Sequence, residues 1–391
     1  MSETTSGSGG KGDCVVAART AKERRLDVET KGADLLARGV ESVVANTLDR
    51  LGASEVAVRI ADQGALDYVI RARVESAVRE LVPEARGSIE MAVDRRPSDR
   101  SRPRRSRLYA PGSNPRLLAG IDVHGADCVL LDLEDSVPPV EKASARILVK
   151  YLLASIPFPE EAWVRINPLE TCGLEDVAEI LLGRPHGICL PKAESAADVN
   201  RLADALAARE DEFGLPDGST WIMPIIETAT GVLHAAEIAA AHERVVMVSF
   251  GAEDFTRDVG ALRSRRSLLF ARSMIVAAAA AAGIQASDTV FADVNDAEGL
   301  RKEADLAREL GFDGKGAISP RQIPAIHRAF SPSDEELERA RAIVDAAREA
   351  EERGLGAVAL DGKMIDKPVL ARAERLIRYA ERLTKGGGPD A

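Results

Sequence analysis

What this chain lacks narrows its chemistry first. Only four cysteines occur in 391 residues, at Cys14, Cys128, Cys172 and Cys189. They share no metal-ligand spacing, and two fall inside apolar runs that read as strands. They are expected to be small core residues of a reduced, cytoplasmic protein rather than a disulfide or zinc framework. The five histidines form no catalytic pattern and no glycine-rich nucleotide motif occurs, which speaks against histidine-based or NAD-dependent chemistry. No apolar run is long enough to span a membrane, and the most apolar stretch, Met274–Ala282, reads as one buried helix. The polar, Gly/Ser-rich start Met1–Gly10 lacks the charged-then-apolar order of a signal peptide. Positive charge is in deficit as well: 52 Lys and Arg face 63 Asp and Glu, a net charge of −11. That balance excludes a nucleic-acid binder, and it means that an anionic substrate must be attracted by local arginine, lysine or metal.

What the chain does have is a repeat. Eight short apolar runs are followed, each in turn, by an amphipathic helical stretch: Arg107–Ala110, Cys128–Leu131, Trp163–Ile166, Gly187–Leu190, Trp221–Ile226, Val245–Phe250, Thr289–Ala292 and Gly316–Ile318. Eight strand–helix units close into a (β/α)8 TIM barrel, whose reacting groups sit at the C-terminal strand ends. Those ends read Pro111-Gly112, Asp132/Glu134/Asp135, Arg165, Lys192, Glu227, Glu253/Asp254, Asp293 and Ser319. Carboxylates converging with one arginine and one lysine on a single rim predict a divalent-metal site for an anionic substrate.

The chain divides at Pro97–Arg107, which reads PSDRSRPRRSR. It is polar, proline-broken and basic, too poor in apolar groups to fold alone, and its residues 97–104 are expected to be a solvated linker. Residues 1–96 read as a small α/β module, with strands at Asp13–Arg19, Leu26–Thr30 and Glu55–Ile60 and helices at Val40–Leu51 and Ala65–Leu81. At this size it is a marginal domain, helped by docking onto something larger. The barrel occupies 105–330, and 331–391 form a C-terminal helical extension: a charged helix Ser333–Arg353, extended chain over Gly354–Asp366 and a helix Pro368–Leu383. Such a tail beyond a closed barrel commonly packs on a neighbouring subunit, so an oligomer is expected.

A family resemblance runs through the barrel. RSRLYAPGSNP (Arg105–Pro115), DCVLLDLEDSV (Asp127–Val137), VRINPLET (Val164–Thr171), LPKAES (Leu190–Ser195), IIETATGVLHAAEIA (Ile225–Ala239), FGAEDF (Phe250–Phe255), FADVNDAEGL (Phe291–Leu300), GFDGKGAISPRQI (Gly311–Ile323) and RGLGAVALDGKMIDKP (Arg353–Pro368) occur in order. Together they resemble the β-subunit of citrate lyase and the malyl-CoA and citramalyl-CoA lyases of the HpcH/HpaI aldolase superfamily. The N-terminal stretches GVESVVANTLDRLG and DQGALDYVIRARVESAV are similar to the acyl carrier (γ) subunit of citrate lyase. In that carrier a serine in a short Glu-Ser-(Ser/Gly)-Asp sequence holds a CoA-like prosthetic group. Here the stretch is Gly10-Lys11-Gly12-Asp13, and a lysine cannot form that phosphodiester. The module is therefore expected to carry no group, although Ser6 and Ser8 lie close by in what reads as a flexible arm.

The resemblance implies roles as well. It makes Glu227 and Asp254 the Mg2+ ligands, in keeping with a cation that takes one or two carboxylates plus waters and substrate. It makes Arg165 the guanidinium that captures the carboxylate or carbonyl of the 2-oxo acid. Asp366 becomes the acid/base at the acetyl carbon, reaching into a neighbouring subunit's site, although an aspartate before proline is also a natural helix cap. Glu134, with Asp132 and Asp135, orients Arg165 beside the substrate; Lys192 and Arg105 either meet CoA phosphates or form rim salt bridges. Glu253, placed on the opposite side of an extended segment, is structural. Two loops depart from the lyase pattern, ALRSRRSLLF (Ala261–Phe270) and Ser319-Pro320-Arg321-Gln322, and both flank the expected substrate entrance. The implied reaction is Mg2+-dependent cleavage of a citryl-, malyl- or citramalyl-type 3-hydroxy-acyl thioester, on CoA or an acyl carrier, into an acetyl-type thioester and a 2-oxo acid. The implied assembly is a homotrimer or hexamer, with other citrate lyase-type subunits as possible partners. A metal aldolase on free 4-hydroxy-2-oxo acids and a non-catalytic assembly subunit are the alternatives.

Overall fold

The computed structural model describes residues 3–30, 34–85, 93, 97–352, 358–360 and 363–386. Its first part is a four-stranded sheet of β1 (Glu3–Ser6), β2 (Cys14–Thr20), β3 (Arg25–Thr30) and β4 (Val56–Asp62), with helices α1 (Asp34–Arg50) and α2 (Asp67–Leu81). The strand order is β1-β2-β4-β3, with β3 parallel to β4 and the other pairings antiparallel. Along β2 the buried side chains are Cys14, Val16 and Ala18, the period of two that one covered sheet face demands. They pack on Val44 and Leu48 of α1 and Val74 and Val78 of α2. The expected flexible arm is a strand instead. Residues Glu3–Ser6 are too few and too polar to announce one, but they pair along β2, Thr4 Oγ1 donates to the Ala77 carbonyl at 2.7 Å, and Ser6 is buried.

Eight parallel strands then close the barrel: β5 (Ser106–Pro111), β6 (Cys128–Asp132), β7 (Glu161–Arg165), β8 (Gly187–Leu190), β9 (Trp221–Ile226), β10 (Met247–Phe250), β11 (Gln285–Asp288) and β12 (Gly314–Ala317). Pairing of Lys315 with Ser106 and of Ala317 with Leu108 joins the last strand to the first. The surrounding helices are α3 (Pro115–Leu118), α4 (Lys142–Ser155), α5 (Gly173–Ile180), α6 (Ala196–Glu212), α7 (Ala229–Leu233), α8 (Ala235–Ala239), α9 (Ala252–Asp258), α10 (Arg265–Ala282), α11 (Ala297–Leu310) and α12 (Ile323–Phe330). Outward strand residues such as Val129, Leu131, Val164 and Ile188 form the large core beneath these helices. Inward ones, among them Cys128, Leu130, Trp163, Cys189 and Met223, fill the barrel itself. Trp163 explains Gly187: a Cβ there would lie 2.3 Å from the indole ring.

Two barrel strands are displaced from their expected places. The seventh is Gln285–Asp288 rather than Thr289–Ala292, and the eighth begins at Gly314. A search for apolar runs passes over QASD, because its burial rests on charge pairing. Asp288 accepts from Arg272 (2.9 and 3.0 Å) and from Lys315 Nζ (2.8 Å), all three side chains being essentially inaccessible. Asp293 accordingly lies in an exposed turn, accepting from the Asn295 amide, and not at a strand end.

The basic segment is exposed at Pro97, Asp99, Arg100 and Ser101, but its end is not solvated. Arg104 is buried beneath the N-terminal strand ends, where both Glu161 oxygens accept from it at 2.7 and 2.8 Å, as do the Ser98 hydroxyl and the backbone carbonyls of Asp99, Arg100 and Arg102. Beyond the barrel come α13 (Asp334–Glu352), a hairpin of β13 (Val358–Leu360) and β14 (Lys363–Ile365), and α14 (Lys367–Gly386). Arg308 with Glu336 and Arg382 with the Ser101 carbonyl tie this extension to the end of the barrel opposite the C-terminal strand ends. Among the described residues no helix is long and apolar enough to cross a membrane.

The N-terminal module is docked on the barrel. Tyr68, Val69 and Ala72 of α2 belong to the barrel's own core. Beside them Lys150 of α4, fully buried, lies between Glu75 of α2 (2.6 Å) and Glu179 of α5, with Arg79 pairing to both acids. Removing the lysine leaves buried carboxylates undercompensated, so Lys150→Met is expected to cost about 3 kcal/mol in urea unfolding. The double variant Lys150→Met/Glu75→Met should regain most of that loss.

Candidate active site

The rim is built from adjacent strand ends. Asp132 closes β6 opposite Arg165 of β7 in the sheet register, so the two side chains meet, and both Asp132 oxygens accept from the guanidinium at 2.7 and 2.8 Å. Arg165 Nη1 also lies 2.9 Å from Glu134, and the other Glu134 oxygen accepts from Lys192 Nζ at 2.5 Å. Lys192 follows β8 with φ +50°, a left-handed conformation costly for a residue with a Cβ. That turn aims its backbone N–H at Glu227 Oε1, 2.9 Å away. Glu227, at the end of β9, is almost wholly buried. Gly251 makes room for it: a Cβ at 251 would stand 2.3 Å from Glu227 Oε2.

A cavity of about 580 Å3 opens here, and Arg165, Glu227 and Asp254 all line it. Asp254 sits in the first turn of α9, where the helix dipole favours a carboxylate, and pairs with Arg257 one turn on. Glu253 lies in that same helical turn, not on an extended segment, and is held 2.8 Å from Arg263 of the atypical loop. Burial, followed by the charges of Glu134 and Asp254, pushes the Glu227 carboxyl up to about 8. Burial opposes ionisation of Asp132 too, but there Arg165 wins and holds the carboxyl below its usual range. Glu134, dominated by burial, is raised.

Among the described residues no three His, Cys, Asp or Glu side chains form a ready metal cluster. Two of the carboxylates that line the cavity, Glu227 and Asp254, nevertheless fit a hard cation. Among the described residues Glu227 has one backbone N–H for its charge and is repelled by its acidic neighbours, a crowding that a divalent ion would relieve, with water and substrate supplying the other oxygens.

Of the remaining expected residues, Glu134 joins the site through Arg165 and Lys192 joins it through Glu134 and Glu227, whereas Arg105 does not. Arg105 precedes β5 at the far end of the barrel, where Asp127 accepts two bonds of 2.8 Å and Ser331 one of 2.9 Å; its place in the chain, just before a strand, puts it on the wrong rim. Asp366 is exposed on the extension and caps α14, accepting from the Val369 amide at 3.0 Å. Asp288 and Thr289 also line the cavity, and the misplaced seventh strand concealed both. The Lys192 backbone and Gly251 left no signal that side-chain chemistry could detect.

Residues 105–320 match the family model described as HpcH/HpaI aldolase/citrate lyase. The chain belongs to that family of carbon–carbon lyases. It is 40% identical over 281 residues to citrate lyase subunit beta of Leuconostoc mesenteroides subsp. cremoris, covering 71% of this chain and 93% of that protein. Human mitochondrial citramalyl-CoA lyase is 34% identical over 293 residues, covering 71% and 86%. A solved structure of CitE from Mycobacterium tuberculosis in complex with magnesium, acetoacetate and coenzyme A is 37% identical. It superposes with a TM-score of 0.60 over 72% of this chain and 99% of its own. Residues 1–81 match an acyl-carrier family model described as malonate decarboxylase delta subunit (MdcD).

In this lyase the raised Glu227 carboxyl sets the sign of a pH dependence. A cation needs the ionised form, so calorimetric Mg2+ affinity should rise roughly tenfold per pH unit up to about pH 8 and then level off. In the metal-free fold the same group, ionised when unfolded above its ordinary value, weakens folding increasingly from about pH 4.5 to about 8. Glu227→Gln should therefore raise the metal-free Tm at pH 8 by several degrees and leave it unchanged near pH 4. Gly251→Ala, which displaces the Glu227 carboxylate, should lose most Mg2+ affinity while the circular dichroism spectrum is retained.

Proposed function

We propose that this lyase is magnesium-dependent and cleaves a 3-hydroxy-acyl thioester of the citryl, malyl or citramalyl type into an acetyl-type thioester and a 2-oxo acid. The observation that carries the reading is the meeting of Glu227, Asp254 and Arg165 on one cavity, in a chain similar to proteins named citrate lyase subunit beta, citramalyl-CoA lyase and L-malyl-CoA/beta-methylmalyl-CoA lyase. Glu227 and Asp254 would hold the ion, which supplies a Lewis acid for the substrate hydroxyl and its neighbouring carboxylate. Arg165 has donors left after serving Asp132 and Glu134, and these fix the substrate carboxylate in one orientation. Passage of the hydroxyl proton to water lets the O–H electron pair form the new carbonyl as the C–C bond breaks. The departing electrons become a thioester enolate, which takes a proton at carbon.

Asp366 is the group we assign to that protonation, contributed by a neighbouring subunit. Its own chain holds it on the extension at the opposite end from the cavity, so a closed ring, a trimer or a pair of trimers, is the arrangement that brings a tail to a rim. The substrate arrives as a free CoA thioester, because Lys11 stands exposed in the β1–β2 turn where a carrier would need its serine. Four unpaired cysteines suit a reducing compartment, and we place the protein in the cytoplasm.

Turnover of citryl-, malyl- and citramalyl-CoA with Mg2+ tests the reading, and EDTA should abolish it. Cleavage confined to free 4-hydroxy-2-oxo acids, or no turnover by the isolated protein, would sink it. Mixing inactive Asp366→Asn subunits with inactive Glu227→Gln subunits should restore part of the activity; exchange without recovery would return Asp366 to a capping role alone. Intact mass after coexpression with a prosthetic-group transferase should equal that of the unmodified chain.

A further inference from the structure

Taking a cation out of water is costly unless an acid goes in with it, and the fold respects this at each buried arginine and lysine except one. Among the described residues Arg73, Arg104, Lys150, Arg244, Arg272 and Lys315 are buried, and each has a carboxylate oxygen at 3.0 Å or closer. Arg107 is wholly inaccessible and forms no ion pair among those residues. Its guanidinium donates to the Asp288 carbonyl at 3.1 Å and meets Met247 Sδ at 3.6 Å. Neither partner carries a charge, and a guanidinium stays protonated in a protein.

The sheet register places this charge. Arg107 is the second residue of β5 and pairs with Cys128, which faces the barrel interior. Its neighbour on the other side, Gly316, lines the reaction cavity, as do Asp288 and Tyr109, two residues further along β5. Arg107 therefore lies under the cavity floor, in an interior filled by apolar side chains, where a field is weakly screened. The rim above has the opposite imbalance. Asp132, Glu134, Asp135, Glu227 and Asp254 share it with Arg165 and Lys192. Arg165 can take one substrate carboxylate, but a second is repelled by the rim and attracted only from below.

We propose that Arg107 is a specificity-determining residue, whose uncompensated charge makes the site rank 2-oxo acids by their number of carboxylates and favour the dicarboxylate. It acts through the barrel interior and not by contact. The inference rests on the lyase reading above, in which the ion and Arg165 hold the first carboxylate. It also explains why the fold keeps a buried cation without an acid: stability is given up for affinity.

The test is calorimetric titration of the full-length protein with Mg2+ alone and then, at saturating Mg2+, with pyruvate and with freshly dissolved oxaloacetate. Arg107→Met removes the charge at similar length, and Arg107→Gln removes it while keeping a donor for the Asp288 carbonyl. We expect both variants to weaken pyruvate about threefold and oxaloacetate about tenfold, because a dianion feels the same potential twice. Mg2+ alone should bind about tenfold more tightly, since the charge that attracts anions repels a cation. Arg107→Met should also raise the Tm of the ligand-free protein. Opposite signs for cation and anion are a signature that damaged packing does not produce. Equal losses for the two acids, weaker Mg2+ binding or a lower Tm would each reduce Arg107 to a packing role and overturn the proposal. Wild-type protein that binds neither acid in the presence of Mg2+ would instead bring down the lyase reading, and the proposal with it.

Discussion

Everything at the catalytic rim depends on one run of charge contacts crossing four neighbouring strands. Asp132 takes both forks of Arg165, Arg165 reaches Glu134, Glu134 holds the Lys192 ammonium, and the Lys192 amide turns to Glu227. Each link uses a partner fixed by the strand register, so the order of residues on the rim follows from the order of strands in the sheet. The run carries more carboxylates than cations can serve. Arg165 resolves the surplus in favour of Asp132, whose carboxyl it holds below the usual range, and leaves it on Glu227, whose carboxyl is pushed up to about 8. A buried acid held poised and poorly compensated is a place where binding a cation yields free energy that folding alone left unclaimed.

The parts of this molecule that were legible from sequence are those in which hydrophobic pattern and chemistry coincide. β6, β7 and β9 are apolar runs ending in Asp132, Arg165 and Glu227, so the barrel and the heart of the site could be read together. β11 was not, because Ser287 and Asp288 enter the core on the strength of Arg272 and Lys315, residues distant in sequence whose help no local window sees. Arg104 and Arg105 misled for the same reason. Their charge suggests solvent or a substrate phosphate, yet Glu161 and Asp127 take them into the closed end of the barrel. Burial of a charged group is a property of its partner as much as of itself.

Backbone-level features were illegible for a different reason. The left-handed Lys192 and the Cβ-free approach of Gly251 to Glu227 act without any characteristic side chain. They are visible only once the carboxylate they serve has been located. The N-terminal module shows the reverse situation. Its elements α1, α2, β2, β3 and β4 were largely readable from periodicity, but not that α2 would contribute one face to the barrel's core and bury Glu75 against Lys150. A helix hydrophobic on two sides is the signature of such double duty, and α2 carries it, with Tyr68, Val69 and Ala72 in the barrel's core and Ile70, Val74 and Val78 in the module's.

The closing pair of the barrel has a consequence for how the chain is made. The first strand finds its second neighbour only at Lys315 and Ala317, some two hundred residues later, and Asp288 meets Lys315 at about the same moment. By contrast, the sheet of the module is complete once β4 has been made. During vectorial synthesis the module can therefore fold on emerging from the ribosome, while the barrel waits, its first seven strands, β5 to β11, exposed at one edge, until nearly the whole of it has been translated. The docking face of α2 is ready before α4 appears, so a preformed domain meets the first apolar helices of the growing barrel and covers one side of them during that delay.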